Sequence, residues 1–287
     1  MNKKIFIKAF IVILLMALLV SVASTEFIIG SRNSENLTEL SDNEISIYSY
    51  DGLKLVAEKR EQKKYTNKWV IFVHSYRTSK EDFKNYTDIY FEKGYNVLSP
   101  DNRAHGKSGG QYIGMGYPDR LDLSKWIDYI IENDNEAEIV LHGVSMGAAT
   151  ILMLSGNEGF KPNVKAVICD CSYASVESYI THKLKSEFGI PKYPLVPLLD
   201  MGFRILGGYS LYDASVINNI EKCSVPTLII HGDKDQSVPV EDGYKIYDSL
   251  KCPKELFIAE DARHGGSMNV NKELYWDRVF NFINKYK

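Results

Sequence analysis

Short apolar runs recur along the chain from residue 44 onwards and alternate with segments of helical spacing. The apolar runs, which predict buried strands, are Trp69–Val73, Tyr95–Leu98, Ile139–Leu141, Val164–Cys169, Thr227–Ile230 and Glu255–Ile258. The segments in which apolar side chains recur every three or four residues predict helices at Glu81–Lys93, Leu121–Glu132, Val240–Leu250 and Asn271–Lys287. Strands that alternate with helices predict an α/β fold with a mostly parallel, doubly wound sheet.

Two segments depart from this alternation. Apolar and polar residues alternate on both sides of Asp51-Gly52, which is typical of a β-hairpin with a D-G turn. Between Ser172 and about Ser215 the chain holds three prolines and many large apolar side chains, more than a crossover helix needs. We expect this segment, about 172–215, to be a helical cap inserted over the carboxyl edge of the sheet. An ordinary helix layer with a long loop is the alternative.

The N-terminal segment has a different pattern. Three lysines lie within the first eight residues, and the apolar run Ala9–Val20 follows them. This pattern predicts a signal peptide or an uncleaved membrane anchor at residues 1–30, with a possible cleavage site after Ala23. A polar linker is expected at 31–43 and the catalytic domain at 44–287. We therefore expect a single-pass protein of the cell membrane with its domain outside, or a secreted protein if the leader is cleaved.

Composition narrows the function classes. The net charge is −3 and no basic block stands out, so a nucleic-acid partner is not expected. The four cysteines have neither the number nor the spacing of a disulfide framework or a zinc site. Cys223 and Cys252 are candidates for pairing in an exported domain, but buried thiols without disulfides are the favoured interpretation for all four.

A serine lies at the junction of one predicted strand and one predicted helix. Gly143-Val-Ser-Met-Gly147 follows the strand Ile139–Leu141 and precedes the apolar helical segment Ala148–Leu154. A G-x-S-x-G sequence in this context forms a sharp turn that holds the serine hydroxyl at the top of a sheet. The first amides of the following helix point to the same position, where they stabilise negative charge. Ser145 is therefore the candidate nucleophile.

A serine nucleophile needs a base and a carboxylate that orients the base. Ligands of such sheets bind at the carboxyl ends of the strands, where His264 follows the last strand and Asp235 the penultimate one. The order Ser145, Asp235, His264 is the chain order expected of this topology. Asp233 is closer to its strand end, and Asp170 ends a strand, so both remain alternatives for the acid.

Several motifs together resemble the α/β-hydrolase superfamily. They are His74-Ser-Tyr76, Pro100-Asp-Asn-Arg-Ala-His-Gly-Lys-Ser-Gly109, Gly143-Val-Ser-Met-Gly147, the segment from His231 to Pro239, and His264. From about residue 44 to the end, the chain looks like the bacterial esterase-like group of the serine aminopeptidase or monoacylglycerol-lipase type. The resemblance implies the α/β-hydrolase fold with an inserted helical cap.

The resemblance also assigns roles. It implies Ser145 as nucleophile, Asp235 as acid and His264 as base, with an oxyanion hole formed by the backbone N–H groups of Met146 and Tyr76. The chain departs from the family in two places, because Ser75 and Ala104 stand where glycines are usual. His105 and Arg103 are expected to stabilise a turn, His142 and His231 to be structural, and His74 to anchor the oxyanion loop.

These observations predict a serine hydrolase, carboxylesterase-like or lipase-like, that cleaves a lipophilic ester through an acyl-enzyme. No metal or organic cofactor is implied, and the expected partner is a small-molecule ester or amide. An aminopeptidase or amidase on the same three residues is the alternative, with Glu177 or Glu187 as the carboxylate for a substrate ammonium group. A non-catalytic surface binding module that kept the fold is the third hypothesis.

Overall fold

The computed structural model describes residues 3–30, 39–157 and 160–286 of the chain. Within these ranges, eight strands form one sheet. The strands are β1 Glu44–Tyr48, β2 Lys54–Arg60, β3 Lys68–Val73, β4 Asn96–Pro100, β5 Glu138–Val144, β6 Val164–Asp170, β7 Thr227–Gly232 and β8 Lys254–Ala259.

Helices flank the sheet on both faces. The α-helices of the described ranges are α1 Lys3–Ile29, α2 Lys84–Glu92, α3 Asp119–Asn133, α4 Met146–Ser155, α5 Val176–Phe188, α6 Leu195–Gly202, α7 Val216–Asn219, α8 Val240–Ser249, α9 Ser267–Val270 and α10 Lys272–Lys285. A 3₁₀ turn at Lys80–Phe83 precedes α2, and a π-helical turn at Phe203–Gly207 follows α6.

Strand order along the sheet is β1-β2-β4-β3-β5-β6-β7-β8. β1 and β2 are antiparallel, as the D-G turn predicts, and β2 is also antiparallel to β4. The other neighbouring strands are parallel. The carboxyl ends of β3 to β8 therefore meet at one edge of the sheet, which brings residues from distant parts of the sequence together.

The continuous apolar run of β3 reflects burial on both faces of the sheet. Trp69, Ile71 and Val73 pack with the side of the core that includes α3 and α4. Val70 and Phe72 alternate with them and pack with the side that includes α2 and α10. The sheet thus lies between two apolar layers, and the predicted α/β architecture is confirmed.

The observed elements follow the predicted ones, with shifts at their ends. β5 extends beyond Leu141 to Val144, because His142 and Gly143 still pair with β3. The helix predicted at Glu81–Lys93 begins as the 3₁₀ turn and continues as α2. The four cysteines are buried and free, as favoured from the sequence.

The segment between β6 and β7 holds α5, α6, the π-helical turn and α7. This is the part of the chain in which the sequence predicts a cap, and its bounds of about 172–215 stay a prediction. The predicted linker at 31–43 falls mostly outside the described residues, since residues 31–38 are not described.

The last turns of α1 pack against the rest of the protein. Ser21, Thr25 and Ile29 are fully buried on one side of the helix. The Ser21 hydroxyl donates to the carbonyl of Leu198 in α6, and Thr25 Oγ1 donates to the Leu199 carbonyl at 3.3 Å. This end of α1 is therefore a structural element of the domain.

Among the described residues, no helix combines the length and the apolar character that a membrane crossing requires. The predicted single-pass localisation in the cell membrane is therefore wrong. The apolar run suggested a membrane segment, but polar residues interrupt the last turns of α1. These turns contact the protein instead.

Candidate active site

Ser145 lies in a strained turn between β5 and α4. Its φ of 54° and ψ of −113° are unusual for a residue with a side chain and cost roughly 1–3 kcal/mol. Two glycines make the turn possible. A Cβ on Gly143 would lie 2.5 Å from the carbonyl carbon of Gly147, and a Cβ on Gly147 would lie 2.1 Å from the Val73 carbonyl oxygen. The G-x-S-x-G sequence thus allows strand and helix to approach closely and fixes Ser145 between them.

His264, in the loop after β8, contacts both residues that the sequence pairs with it. Its Nε2 is 2.9 Å from Ser145 Oγ, and its Nδ1 is 2.7 Å from Asp235 Oδ2. An ionised carboxylate only accepts hydrogen bonds, so Nδ1 carries the proton and donates to Asp235. Nε2 is then left to accept the serine hydroxyl. The structure brings the three residues together in the order that removal of a serine proton requires.

The Asp235 carboxylate is fixed on both oxygens. Oδ1 accepts the backbone N–H groups of Ser237 at 2.8 Å and Val238 at 2.9 Å, while Oδ2 faces His264. His231 Nε2 lies 3.5 Å from Oδ2. Burial alone would raise the pKa of Asp235, but hydrogen bonds from His231 and His264 outweigh it and hold the pKa below its usual range. Asp235 is therefore ionised at neutral pH.

The two alternative acids occupy other environments. Asp233 is exposed to solvent. Asp170 is fully buried, and its Oδ1 accepts the hydroxyl of Ser267 at 2.9 Å. Burial raises the pKa of Asp170 to about 6. In the part of the chain that the structure describes, the carboxylate hydrogen-bonded to His264 is that of Asp235.

The two backbone amides expected in an oxyanion hole lie near the serine in the fold. Met146 is the first residue of α4, where backbone N–H groups have no partner within the helix and the helix dipole favours negative charge. Tyr76 follows β3, the strand that pairs with β5. Their role as oxyanion donors stays a prediction.

His74 anchors the loop that carries Tyr76. The His74 Nδ1 donates to the Ser75 carbonyl at 2.8 Å, and Nε2 accepts the backbone N–H of Asn102 at 2.9 Å. Ser75 does not have a positive φ, so a side chain is compatible with this position. The serine at a usual glycine position therefore does not distort the loop.

The loop after β4 is a scaffold. The Asp101 carboxylate accepts the Lys80 ammonium at 2.7 Å and the backbone N–H groups of Lys80 and Lys107. His105 Nδ1 donates to the Arg103 carbonyl at 2.9 Å. Burial and the nearby ring of His74 lower the pKa of His105 to about 3, so its ring is neutral. The predicted turn-stabilising role of His105 is confirmed.

Arg103 joins this loop to its neighbours, and its guanidinium binds Asp122 in a bidentate pair at 2.7 and 2.8 Å. Ala104, where the family usually has glycine, has a φ of 61°. A positive φ favours glycine, which explains why relatives in the family usually have glycine at this position.

One group of side chains near the site has the composition of a metal site. The Cys171 Sγ, a carboxylate oxygen of Asp235 and a ring nitrogen of His264 lie within 4.8 Å of one another. Burial raises the pKa of Cys171, which keeps the thiol protonated, and a protonated thiol is a poor metal ligand. Asp235 and His264 are already hydrogen-bonded to each other, so this group fits proton transfer better than metal binding.

A cavity of about 670 Å³ opens beside Tyr76 and Met115. Apolar side chains of α5 and α6 form much of its wall, namely Tyr179, Ile180, Leu184, Phe188, Leu195 and Leu199. The volume lies in the range of about 300–1,000 Å³ that is typical of small-molecule sites.

The two carboxylates considered for binding an ammonium group are both paired with lysines. Glu177 Oε1 is 2.7 Å from Lys192 Nζ. Glu187 lines the cavity and forms an ion pair with Lys183 on the same helix. Each carboxylate therefore has a lysine partner from the same chain.

Sequence reasoning missed one set of residues at this site. Ala23, Ser24, Phe27 and Ile28 of α1 also line the cavity, although the sequence assigns them to a leader. The spacing of Ser21 and Thr25, four residues apart on one helix face, was the available signal of close packing.

Comparison with protein families places most of the chain in one known group. Residues 81–287 match the sequence model of the prolyl oligopeptidase family. The protein YqkD of Bacillus subtilis is 30% identical over 215 residues, which cover 75% of this chain and 70% of YqkD. The dipeptidyl-peptidase 5 of Aspergillus oryzae is 24% identical over 217 residues, but these cover 28% of that larger protein.

Comparison with solved structures agrees with this result. The esterase Pf2001 of Pyrococcus furiosus superimposes with a TM-score of 0.70 at 27% identity. The match covers 85% of this chain and 90% of the esterase. The predicted α/β-hydrolase fold is thereby confirmed.

Proposed function

Since the chain belongs to the prolyl oligopeptidase family and is a serine hydrolase of the α/β-hydrolase superfamily, we propose that it cleaves carboxylic esters with a lipophilic acyl group. The observation that carries the proposal is the pair of hydrogen bonds from His264 to Ser145 and Asp235, at 2.9 and 2.7 Å. Tyr76, which follows β3 next to the strand that leads to Ser145, lines a largely apolar cavity.

The proposed reaction has two steps. His264 takes the proton of Ser145 through Nε2, and the serine oxygen attacks the ester carbonyl. Asp235 keeps His264 in the required tautomer and stabilises the imidazolium that forms. His264 then protonates the leaving alcohol. Water hydrolyses the acyl-enzyme by the same route, which regenerates the free serine.

The negative charge of each tetrahedral intermediate needs hydrogen-bond donors. We assign this role to the backbone N–H groups of Met146 and Tyr76. A single donor of this kind typically contributes on the order of 10²–10³ in rate. The N-terminal position of Met146 in α4 supports its assignment, because the helix dipole favours the developing anion.

The apolar character of the cavity wall favours an ester with a lipophilic acyl chain over a charged peptide terminus. An aminopeptidase needs a carboxylate available for the substrate ammonium group, and Glu177 and Glu187 are each paired with a lysine. The similarity to dipeptidyl-peptidase 5 keeps peptide or amide hydrolysis as the second candidate.

The Ser145→Ala variant tests the proposal. We expect it to lower turnover of p-nitrophenyl esters by about 10⁴-fold or more, and to abolish labelling by a fluorophosphonate probe. Ser46→Ala, which changes an exposed serine of β1, is the matched control and should behave as the wild type. Unchanged ester turnover in Ser145→Ala would contradict the proposal, and faster release of an amino-acid arylamide than of any ester would favour the peptidase.

A further inference from the structure

The last turns of α1 form one wall of the cavity that Tyr76 also lines. Ala23, Ser24, Phe27 and Ile28 line it, and they face the apolar residues of α5 and α6. Tyr76, whose backbone N–H we assign to the oxyanion hole, lines the same cavity. A substrate group that extends from this oxyanion hole into the cavity therefore meets α1.

The carboxyl end of α1 is held by the loop that carries Tyr76. The Tyr76 hydroxyl donates to the Ile28 carbonyl at 2.5 Å, and the Arg77 guanidinium donates to the carbonyls of Phe27 and Ile28. These carbonyls have no partner within the helix, and a cation at this end complements the helix dipole. The backbone N–H of Ile113 also donates to the Ile29 carbonyl at 2.7 Å. The helix end is thus fixed directly to the oxyanion loop.

α1 is also fixed to α6. A Cβ on Gly202 would lie 2.1 Å from Thr25 Oγ1, so the two helices are in close contact at this glycine. The Thr25 hydroxyl donates to the Leu199 carbonyl, and Leu199 itself lines the cavity. Contacts with the loop that carries Tyr76 and with α6 hold this part of α1, including Ser24, at the cavity wall.

We propose that residues 23–28 of α1 determine substrate specificity by limiting the length of the acyl chain that the cavity accepts. This inference rests on the proposed esterase function. The side chains of Ala23 and Ser24 are small and leave the cavity open at their positions. A larger side chain there occupies the volume that a long acyl chain needs, whereas a short acyl chain does not reach it.

The test measures kcat/KM for p-nitrophenyl acetate and octanoate in the full chain. We expect Ser24→Trp to lower the octanoate-to-acetate ratio by about tenfold or more, and Ser24→Leu to lower it by a smaller factor. Leu19→Trp introduces the same side chain at an exposed position of the same helix that does not line the cavity, and it should leave the ratio at the wild-type value.

Thermal unfolding and fluorophosphonate labelling establish that each variant is folded. Should Ser24→Trp fail to fold, Ser24→Leu decides the question by the direction of its ratio. An octanoate-to-acetate ratio that is unchanged in the folded Ser24 variants overturns the inference. If the wild type cleaves neither ester and is not labelled, the proposed function itself fails, and the two failures are therefore distinguishable.

Discussion

Two histidines of this protein have side-chain hydrogen bonds on both ring nitrogens but occupy opposite environments. His264 lies between the Asp235 carboxylate and the Ser145 hydroxyl, and 27% of its side chain is exposed. His142, on β5, is fully buried between two phenols. Its Nδ1 is 2.9 Å from the Tyr90 hydroxyl, and its Nε2 is 3.0 Å from the Tyr275 hydroxyl.

The two histidines differ in the partner of Nδ1, which is a carboxylate for His264 and a phenol for His142. A carboxylate beside His264 stabilises the positive charge that the ring acquires when it takes a proton. The two tyrosine hydroxyls beside His142 carry no negative charge and match a neutral ring, which donates one hydrogen bond and accepts the other. Burial accordingly lowers the pKa of His142 to about 3. Equal numbers of hydrogen bonds thus suit one histidine to proton transfer and the other to packing, as the sequence predicts for His142.

The largest expected effect comes from removing the carboxylate beside His264. Asp235→Asn keeps the shape of the side chain but no longer favours the required tautomer, so we expect kcat to fall by about 10⁴-fold. Ester turnover of the purified variant measures this effect. Asp233→Asn is the matched control, because Asp233 is exposed two residues away, and it should retain wild-type kcat. A greater loss in Asp233→Asn than in Asp235→Asn would reassign the acid.

A second prediction concerns the buried His142 and the pH dependence of stability. Because the pKa of His142 is lowered in the folded state, only the unfolded chain takes up this proton between pH 6.5 and about 3, and stability is lost as the pH falls through this range. Between pH 7 and pH 5 this loss amounts to about 2 kcal/mol. The His142→Gln variant has no such titrating group and should not show this loss. The difference in unfolding free energy between wild type and variant should therefore narrow by about that amount from pH 7 to pH 5. Urea unfolding at both pH values measures it, and a constant difference would show that His142 titrates normally.

The smallest effect is expected from one phenol. Tyr90→Phe removes the partner of His142 Nδ1 and leaves a buried polar atom unpaired, which should cost about 1–2 kcal/mol of stability. Ester turnover at 25 °C should not change, because Tyr90 does not contact His264. Tyr48→Phe, at an exposed position of β1, is the control for loss of a hydroxyl. A loss of activity in Tyr90→Phe without a loss of stability would contradict the assignment of His142 to the core.

Much of the fold and the grouping of the site residues were predictable because local signals and topology agree. The apolar run of β3 needs burial on both faces, and the glycines around Ser145 need a close approach of strand and helix. Once parallel strands are inferred, their carboxyl ends must meet at one edge, which brings Asp235 and His264 to Ser145.

The role of α1 was not predictable in the same way. An apolar run after several lysines has the composition of a membrane segment, and composition does not reveal which protein surface a helix contacts. The decisive contacts come from Arg77 and Gly202, which lie 49 or more residues away in sequence and carry no motif. Such long-range packing is visible only in the folded chain.

The two glycines that flank Ser145 also bear on how this enzyme can change. A side chain at Gly143 would push β5 and α4 apart, and one at Gly147 would push α4 away from the end of β3. Either change would move Ser145, so neither natural drift nor directed evolution can adjust substrate choice there. The helices around the cavity carry no such restriction, because their side chains line the cavity without holding the serine. New specificities should therefore arise by mutation of α1, α5 and α6 around an unchanged turn.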